Sequence, residues 1–487
     1  MPGIVIETAV RTGPSTATVR ASSQFFVVGL AERGTTTAPV KVESLEQFET
    51  YFGGYQSYSY LHPTVQTFFE EGGTRAYVAR VVGSAADSGS LTLDDGDDDN
   101  TITITAVGEG NWSTRIKVQV VDASGDRNVK ILLDDVEIFA TGAQSTVTGI
   151  INAINTSVEA SPYVVASNDN STNNNPLPAV LAATALSAGD DDRAAVVAAD
   201  YVNALELFND SYGDGAVAVV ENTSDTVKEG LVEHANTHSR IALLHSASGT
   251  SVSTVIADAE EITDLEHAEH AAYYFPWVYV PTSVNGVNRL IPPTGYVAAK
   301  RAQAHNQTGP HAPAAGLMSR SRFVNGVETD IDRTNGDLLD NGKVNAIRVL
   351  SNTIRIYGAR SCSSDVANFR FYTAQDVLNS VVTQAFTSLE DLVFSVIDGR
   401  NIVLASVESR LVSLLEGLKN LGALYPSFDA FGVQVDPGYT VKCNPSINPL
   451  TQLADGTIKA EVGIRVSSIG DKINVTIVKS NLTTSIV

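Results

Sequence analysis

The chain opens on an alternating pattern. In "MPGIVIETAV", Ile4, Ile6, Thr8 and Val10 fall on one face of an extended segment and Val5, Glu7, Ala9 and Arg11 on the other. That period of two marks a half-buried strand. Gly13-Pro14 ends it before any hairpin partner. The far end repeats the pattern, with Ile473, Val475 and Ile477 alternating with Asn474 and Thr476. Chain ends fray unless something ties them down, and an unpaired strand invites aggregation. Both terminal segments therefore call for a sheet edge to join.

Between them the pattern changes several times. "FFVVGL" and "TRAYVARVV" read as fully buried strands. A short helix over 44–51 has Ser44 as N-cap, with Gln47 completing a capping box. A second helix, 61–71, stops at Gly72-Gly73. From about Gly83 to about Asp192 the chain is rich in Thr, Asn, Ser and Asp, with the alternating strands "TITITAV", "RIKVQVV" and "VKILLDD". This predicts a small β domain inserted into the fold. From Arg193 strands and helices alternate. Val197, Tyr201, Leu205 and Phe208 mark one helical face, followed by strand "AVAVV", a helix over 226–237, strand "IALLH", a helix over 252–270 and strand "YYFPWVYV". Such alternation implies parallel pairing through right-handed crossovers. Residues 291–316, rich in Pro, Gly and Ala, read as a long ordered loop.

Two amphipathic helices follow. One carries Ala374, Val377, Val381, Ala385, Leu389 and Leu392; the other carries Val403, Val407, Leu411, Leu414 and Leu418, with Gly422 as its stop. A strand, a turn at Gly470-Asp471 and the terminal strand close the chain. The predicted class is α/β (α+β) and multidomain. Its parts are an N-terminal arm (1–20), an α/β core (21–83 and 193–340), an inserted surface β domain (84–192), a C-terminal α+β domain (341–470) and a C-terminal arm (471–487).

Composition narrows the function. At 487 residues the chain exceeds one core. With 55 acidic against 32 basic side chains the net charge is −23, which repels phosphate backbones and anionic membranes, so no nucleic acid partner is expected. No apolar run is long enough for membrane insertion, and the missing signal pattern makes the cytoplasm the expected address. Cys362 and Cys443 form no CxxC pair and read as free buried thiols.

The candidate chemistry is sparse. His234 and His238 share a helical face, with His245 on the next strand, yet no third ligand or acid completes a metal site; they read as helix-surface histidines. His267 and His270 in "EHAEH" lack zinc-protease spacing. "DDGDDDN" places Asp97, Asp98 and Asp99 side by side, where a calcium loop alternates its ligands; it reads as a solvated acidic loop. "DIDRTNGDLLD" has Gly336 one residue late and Asn341 where the closing Glu belongs, and reads as a turn. No GxxxxGK[ST], GxSxG or GxGxxG stands in a catalytic context. The expectation is a building block that is not an enzyme and carries no cofactor and no metal.

Several stretches, in order, resemble the tail sheath proteins of contractile-tailed bacteriophages and related injection machines. They are "MPGIVIET", "FFVVGLAERGTTTAPVKVESLEQFETYFGG", "GGTRAYVARVV", "GEGNWSTRIKVQV", "PPTGYVAAKRAQAHNQTGPHAPAAG", "LLDNGKVNAIRVLSNTIRIYGARS" with Asn345 and Gly358 in the family's places, "LGALYPSFDAFGVQV" and "VKCNPSINP". His305 and Asn306 stand where the family commonly has Asp, and His311 where it has Trp. "CSSDVANFRFYTAQDV" lacks its paired arginines.

The resemblance implies a structural subunit that polymerises into a helical homo-oligomer around an inner tail tube protein. The sheath would be bounded by baseplate and tail terminator proteins and would contract to drive the tube through a cell envelope. It implies a place in a virion tail, assembled in the host bacterial cytoplasm. The arms, with Ile4, Val5, Ile6, Val10, Ile473, Val475 and Ile477, are implied to add strands to neighbouring subunits. Within this reading the helix 402–421 is the candidate face toward the tube, through Glu408, Arg410, Glu416 and Lys419, which are assigned to the side opposite its apolar stripe. The alternatives are the sheath of a phage-tail-like bacteriocin or extracellular contractile injection system, a secreted surface-layer or adhesin protein, and an α/β hydrolase.

Overall fold

The computed structural model describes residues 21–97, 99–169, 176–282 and 287–472. Its centre is an eight-stranded sheet. The strands are β1 (Phe25–Gly29), β2 (Val40–Val42), β3 (Ala76–Arg80), β4 (Ala216–Val219), β5 (Ile241–His245), β6 (Ala271–Phe275), β7 (Val344–Leu350) and β8 (Thr353–Tyr357). Their order across the sheet is β8-β7-β6-β5-β4-β1-β3-β2. The six inner strands run parallel, and β2 and β8 close the edges antiparallel.

A parallel sheet must be covered on both faces, which is why β1, β4, β5 and β6 are apolar runs buried at every position. Alternate side chains feed two cores. Phe25 and Val27 meet Phe48, Phe52, Phe68 and Tyr296 on one side. Phe26 and Val28 meet Tyr201, Leu205, Phe208 and Leu231 on the other.

The first helix, Leu45–Phe52, starts as its sequence predicts. Ser44 accepts the Gln47 N–H, and the Gln47 side chain accepts the Glu43 N–H, one residue short of a closed capping box. The second helix, Leu61–Glu70, ends before Gly72, whose φ of +98° favours glycine.

Several expectations need correction. Residues 291–316 are not a loop, because Thr294–Gln307 (α1) is a helix buried on almost every side. Ala and Gly let it lie close to its neighbour: a Cβ on Gly295 would sit 2.3 Å from the Thr64 carbonyl. With no polar face it shows no amphipathic period. The helix expected over 252–270 stops at Thr263, and His267 adopts a left-handed conformation before a 3₁₀ turn. "YYFPWVYV" divides between β6 and a strand, Val278–Pro281, in a separate three-stranded sheet. Val197 lies before the helix Ala198–Leu205 and is exposed, so the buried face is Tyr201, Leu205 and Phe208. "DIDRTNGDLLD" is a helix, Arg333–Asn341, with Asp332 as the N-cap that accepts the Asn335 N–H.

β7 and β8, expected at the start of a C-terminal domain, belong to the core sheet, because the first residues of β7 pair with β6. The C-terminal region proper is built on two helices, α2 (Tyr372–Leu389) and α3 (Ile402–Asn420), with two-stranded sheets beside them.

The segment from about Gly83 to Asp192 folds on its own core of Ile102, Ile104, Val118, Ile131 and Ile150 between a three-stranded and a four-stranded sheet. It is not purely β, since Val147–Thr156 is a helix capped by Thr146. Its two ends meet: the Gly83 N–H reaches the Asp191 carbonyl at 2.9 Å. Arginines bolt it to the core. Arg33 lies over the rings of Trp112 and Tyr163, and Arg115 joins Glu32 at 2.6 Å. Buried Arg80 donates to the carbonyls of Ala31 and Gly34.

Candidate assembly interface

The described chain begins where it is tied down. Arg301 Nη1 donates to the Ser22 carbonyl at 2.6 Å, and His305 Nδ1 lies 3.2 Å from the same oxygen. Both residues stand on α1, four apart and fully buried. The Arg301 fork also grips Asp376 near the start of α2, and His305 Nε2 lies 3.4 Å from that carboxylate. Thus the root of the N-terminal segment, the core and the C-terminal helix pair meet at one buried ionic point. Burial pushes the His305 pKa down, and the Arg301 charge adds to that. A neutral ring can donate from Nδ1 to Ser22.

The polar network continues along α2. Asn379 Nδ2 donates to the Arg240 carbonyl at 3.0 Å, and Gln375 bridges Asn379 and His270. Pattern reading along the chain missed these partners. The spacing of Gln375, Asp376, Asn379 and Ser380, two pairs one helical turn apart, was the available signal. A second buried carboxylate, Glu71, takes Lys300 at 2.7 Å and the backbone N–H groups of Arg322, Phe323 and Val324.

α3 packs its apolar stripe of Val403, Val407, Leu411, Leu415 and Leu418 inward. The four charges assigned to the opposite side lie on its flanks. Arg410 forks onto Asp391 and donates to the Ser388 carbonyl at 2.5 Å. Glu416 holds Lys419 at 2.7 Å and the Tyr439 hydroxyl at 2.5 Å. Glu408 is half-buried. The outermost positions are Ala405, Ser409, Ser413 and Gly417, so the exposed face is small and uncharged.

Beside α3, Tyr439–Lys442 pairs antiparallel with Glu461–Ile464. These two strands form a sheet alone, so each keeps one unpaired edge among the described residues. A two-stranded sheet is marginal in water. The arm residues Ile4, Val5, Ile6, Val10, Ile473, Val475 and Ile477 lie outside the described residues.

The histidines turn inward. His234 is buried, not on the surface; burial and then the Arg240 charge push its pKa far down, and its Nε2 accepts from Arg240 at 2.8 Å. His238 meets Asp210 at 2.5 Å, and buried His245 lies between the carbonyls of Ser246 and Val219. The acidic run closes its own turn, with Asp95 accepting the N–H groups of Asp97 and Asp99. Among the described residues no group of three His, Cys, Asp or Glu could hold a metal ion. Nor is any described helix long and apolar enough to cross a membrane.

The chain matches no protein-family model and no curated protein. Solved structures do match. The sheath tail protein of Listeria innocua superposes with a TM-score of 0.59 at 14% identity, covering 87% of this chain and 89% of that one. The helical sheath of the anti-feeding prophage in its contracted state gives 0.56 at 13%, covering 98% and 99%.

This chain has the contractile tail sheath fold. The contracted sheath complex of an extracellular contractile injection system gives 0.56 at 14% over 99% and 98%. The sheath fold therefore extends across nearly the whole chain, the inserted segment included.

Proposed function

We propose that this chain is the structural subunit of a contractile sheath. It would polymerise as stacked helical rings on an inner tube, between a baseplate and a tail terminator, and would act mechanically without catalysis. The observation that carries this reading is the end-to-end likeness to a helical sheath, over 98% of this chain and 99% of the other.

The terminal arms are the proposed links. The unpaired edges of Tyr439–Lys442 and Glu461–Ile464 are ready-made acceptors, and the segments around Ile4–Val10 and Ile473–Ile477 are the matching strands. Each added strand contributes a few hydrogen bonds of about 1 kcal/mol apiece, and several joints per subunit make the sleeve strong. Contraction is then a change between two lattices, and many subunits converting together amplify a small difference in free energy.

α3 is the proposed face toward the tube. Glu408, Arg410, Glu416 and Lys419 would border a small, uncharged contact strip that releases as the sleeve widens. The inserted segment is proposed to lie outside. The location is a contractile tail: a phage virion assembled in the bacterial cytoplasm, or a DNA-free injection particle, a reading favoured by the likeness to an extracellular injection system.

The test is removal of residues 1–10. The shortened chain should remain a folded, soluble monomer and form no sleeves by electron microscopy, whereas the full chain should form hollow tubes. Unfolding of the shortened chain would place that strand in its own core and sink the arm reading.

A further inference from the structure

A second exposed element lies between α3 and the strand Tyr439–Lys442. Ser427–Phe428 pairs antiparallel with Gln434–Asp436 as a short hairpin. Its tip closes on itself. Asp429 Oδ1 accepts the N–H groups of Phe431 (2.9 Å) and Val433 (2.8 Å), and Gly432 takes the turn with a φ of +79°. The root is fastened too, since Asp436 accepts from Ser427 Oγ (2.5 Å), Gly438 N–H (2.8 Å) and Arg465 (3.1 Å). Both carboxylates are therefore occupied within the hairpin and its base. What faces water is apolar: Tyr425, Phe428, Phe431, Val433 and Val435 are all more than half exposed, Phe431 at 92%. Phe431, Val433 and Val435 alternate along the chain and share a face. Single exposed hydrophobes are ordinary, but five on one tethered hairpin are an interaction surface.

The same region carries a second apolar surface. On α2, Val382 and Phe386 stand one turn apart and point outward, Phe386 at 71% exposure. No charged side chain lies between Val377 and Leu389. Val393, Phe394 and Val396 follow immediately, and Phe394 is wholly exposed.

We propose that the hairpin Tyr425–Asp436 of one copy docks on the Val382, Phe386 and Phe394 surface of the next copy. This rests on the sheath reading and gives it a second contact, independent of the terminal arms. Charge selects the occupant. Each copy carries −23, of which −13 falls on residues 84–192, so two copies repel except where charge is missing. Hairpin and α2 stripe are such places, and each offers the other an uncharged apolar partner. Two different surfaces meeting make a heterologous contact, which repeats head to tail and grows rings or helices instead of closing a dimer. A contact of that kind suits a sleeve.

The experiment uses the full chain. Phe431→Ser with Val433→Ser, and separately Phe386→Ser, change exposed side chains, so monomer melting should stay within a degree or two of the unmodified chain. Each variant should raise the critical concentration for tube formation by about tenfold or more. Chains carrying Phe431→Cys, mixed with chains carrying Phe386→Cys, should cross-link through a short bismaleimide in tubes and not below the critical concentration. The native Cys362 and Cys443 are buried and do not compete.

Tube formation by the variants at the unmodified concentration, or tubes that yield no cross-link, would overturn the contact and leave the sheath reading standing. Variants that form tubes alone but no longer coat an inner tube would assign the hairpin to the tube protein and also overturn it. Failure of the unmodified chain to form tubes at any concentration would overturn the sheath reading, and this contact with it.

Discussion

Arg301 and Asp376, 75 residues apart in the chain, close on one another as a fork with both side chains withdrawn from water. Arg301 also holds the Ser22 carbonyl, so this single pair joins the root of the N-terminal segment to the first turns of α2. Taking two charges out of water is costly, and the pair holds because its remaining hydrogen-bonding groups are satisfied around it.

Removing one partner should therefore do more harm than removing both. Asp376→Ala leaves a buried guanidinium uncompensated and should cost about 3–5 kcal/mol, whereas Arg301→Met with Asp376→Leu should cost much less. Burial alone would raise the Asp376 carboxyl; the charges and hydrogen bonds of Arg301 and His305 outweigh it and hold the pKa below the ordinary 3.8. A carboxyl lowered on folding stabilises the native state above pH 3.8 and loses that contribution as the pH falls through its folded value. Urea melts at pH 7 and pH 3 should show the gap between the unmodified chain and the double variant narrowing in acid. A gap independent of pH would refute this account.

Glu221 predicts the opposite pH dependence. It lies beyond the end of β4, fully buried, accepting the Ser59 hydroxyl at 2.8 Å and the Tyr60 N–H at 3.0 Å. Burial raises its pKa to about 7, against the pull of those hydrogen bonds. The folded state then keeps a proton that the unfolded state releases, so stability falls as the pH climbs from about 4.5 to about 7 and stays lower above that. The loss is on the order of 3 kcal/mol. Glu221→Gln should melt higher than the unmodified chain at pH 8 and close to it at pH 4.5. A lower melting temperature at pH 8 would show that the ionised carboxylate is the stabilising form.

Asn345 and Gly358 fit each other across the β7–β8 hairpin. The Asn345 side chain donates to the Arg360 carbonyl at 2.9 Å and accepts its N–H at 2.6 Å. A Cβ on Gly358 would stand 2.8 Å from the Asn345 oxygen. Gly358→Ala should thus cost about 1–3 kcal/mol by displacing that amide. Asn345→Ala should cost a similar amount by leaving the Arg360 backbone groups unpaired. Because both act through the same hydrogen bonds, the double variant should be less destabilised than the sum. Additive thermal-melt losses would show that the two act separately.

Replacing residues 84–192 with a short Gly-Ser linker should be tolerated, since Gly83 and Asp191 already meet at 2.9 Å. Arg33 and Glu32 lose Trp112, Tyr163 and Arg115, so the melting temperature should fall by several degrees. Tubes should still form. Without the −13 of this segment they should bundle sideways at low salt, visible as turbidity, because like charges hold particles apart only within a Debye length of about 8 Å at physiological salt. Loss of tubes in this variant would make the segment part of the lattice.

The sequence by itself determined the elements whose burial shows in a local pattern. "FFVVG" and "IALLH" could only be strands covered on both faces, and the Val403–Leu418 stripe could only be the inner face of a helix. The order of the resembling motifs also determined the fold class. Tertiary structure alone decided what depends on distant approach. α1 shows no period because neighbours wrap it on every side, so its Gly and Ala content looks like a loop. Arg301 finds Ser22 and Asp376 only once the sheet has brought 279 and 75 residues of intervening chain together. The charges flanking α3 face Asp391 and Tyr439 because those residues arrive from other elements. Periodicity records which side of an element is dry, but partners brought together by folding leave no trace in the spacing of either one.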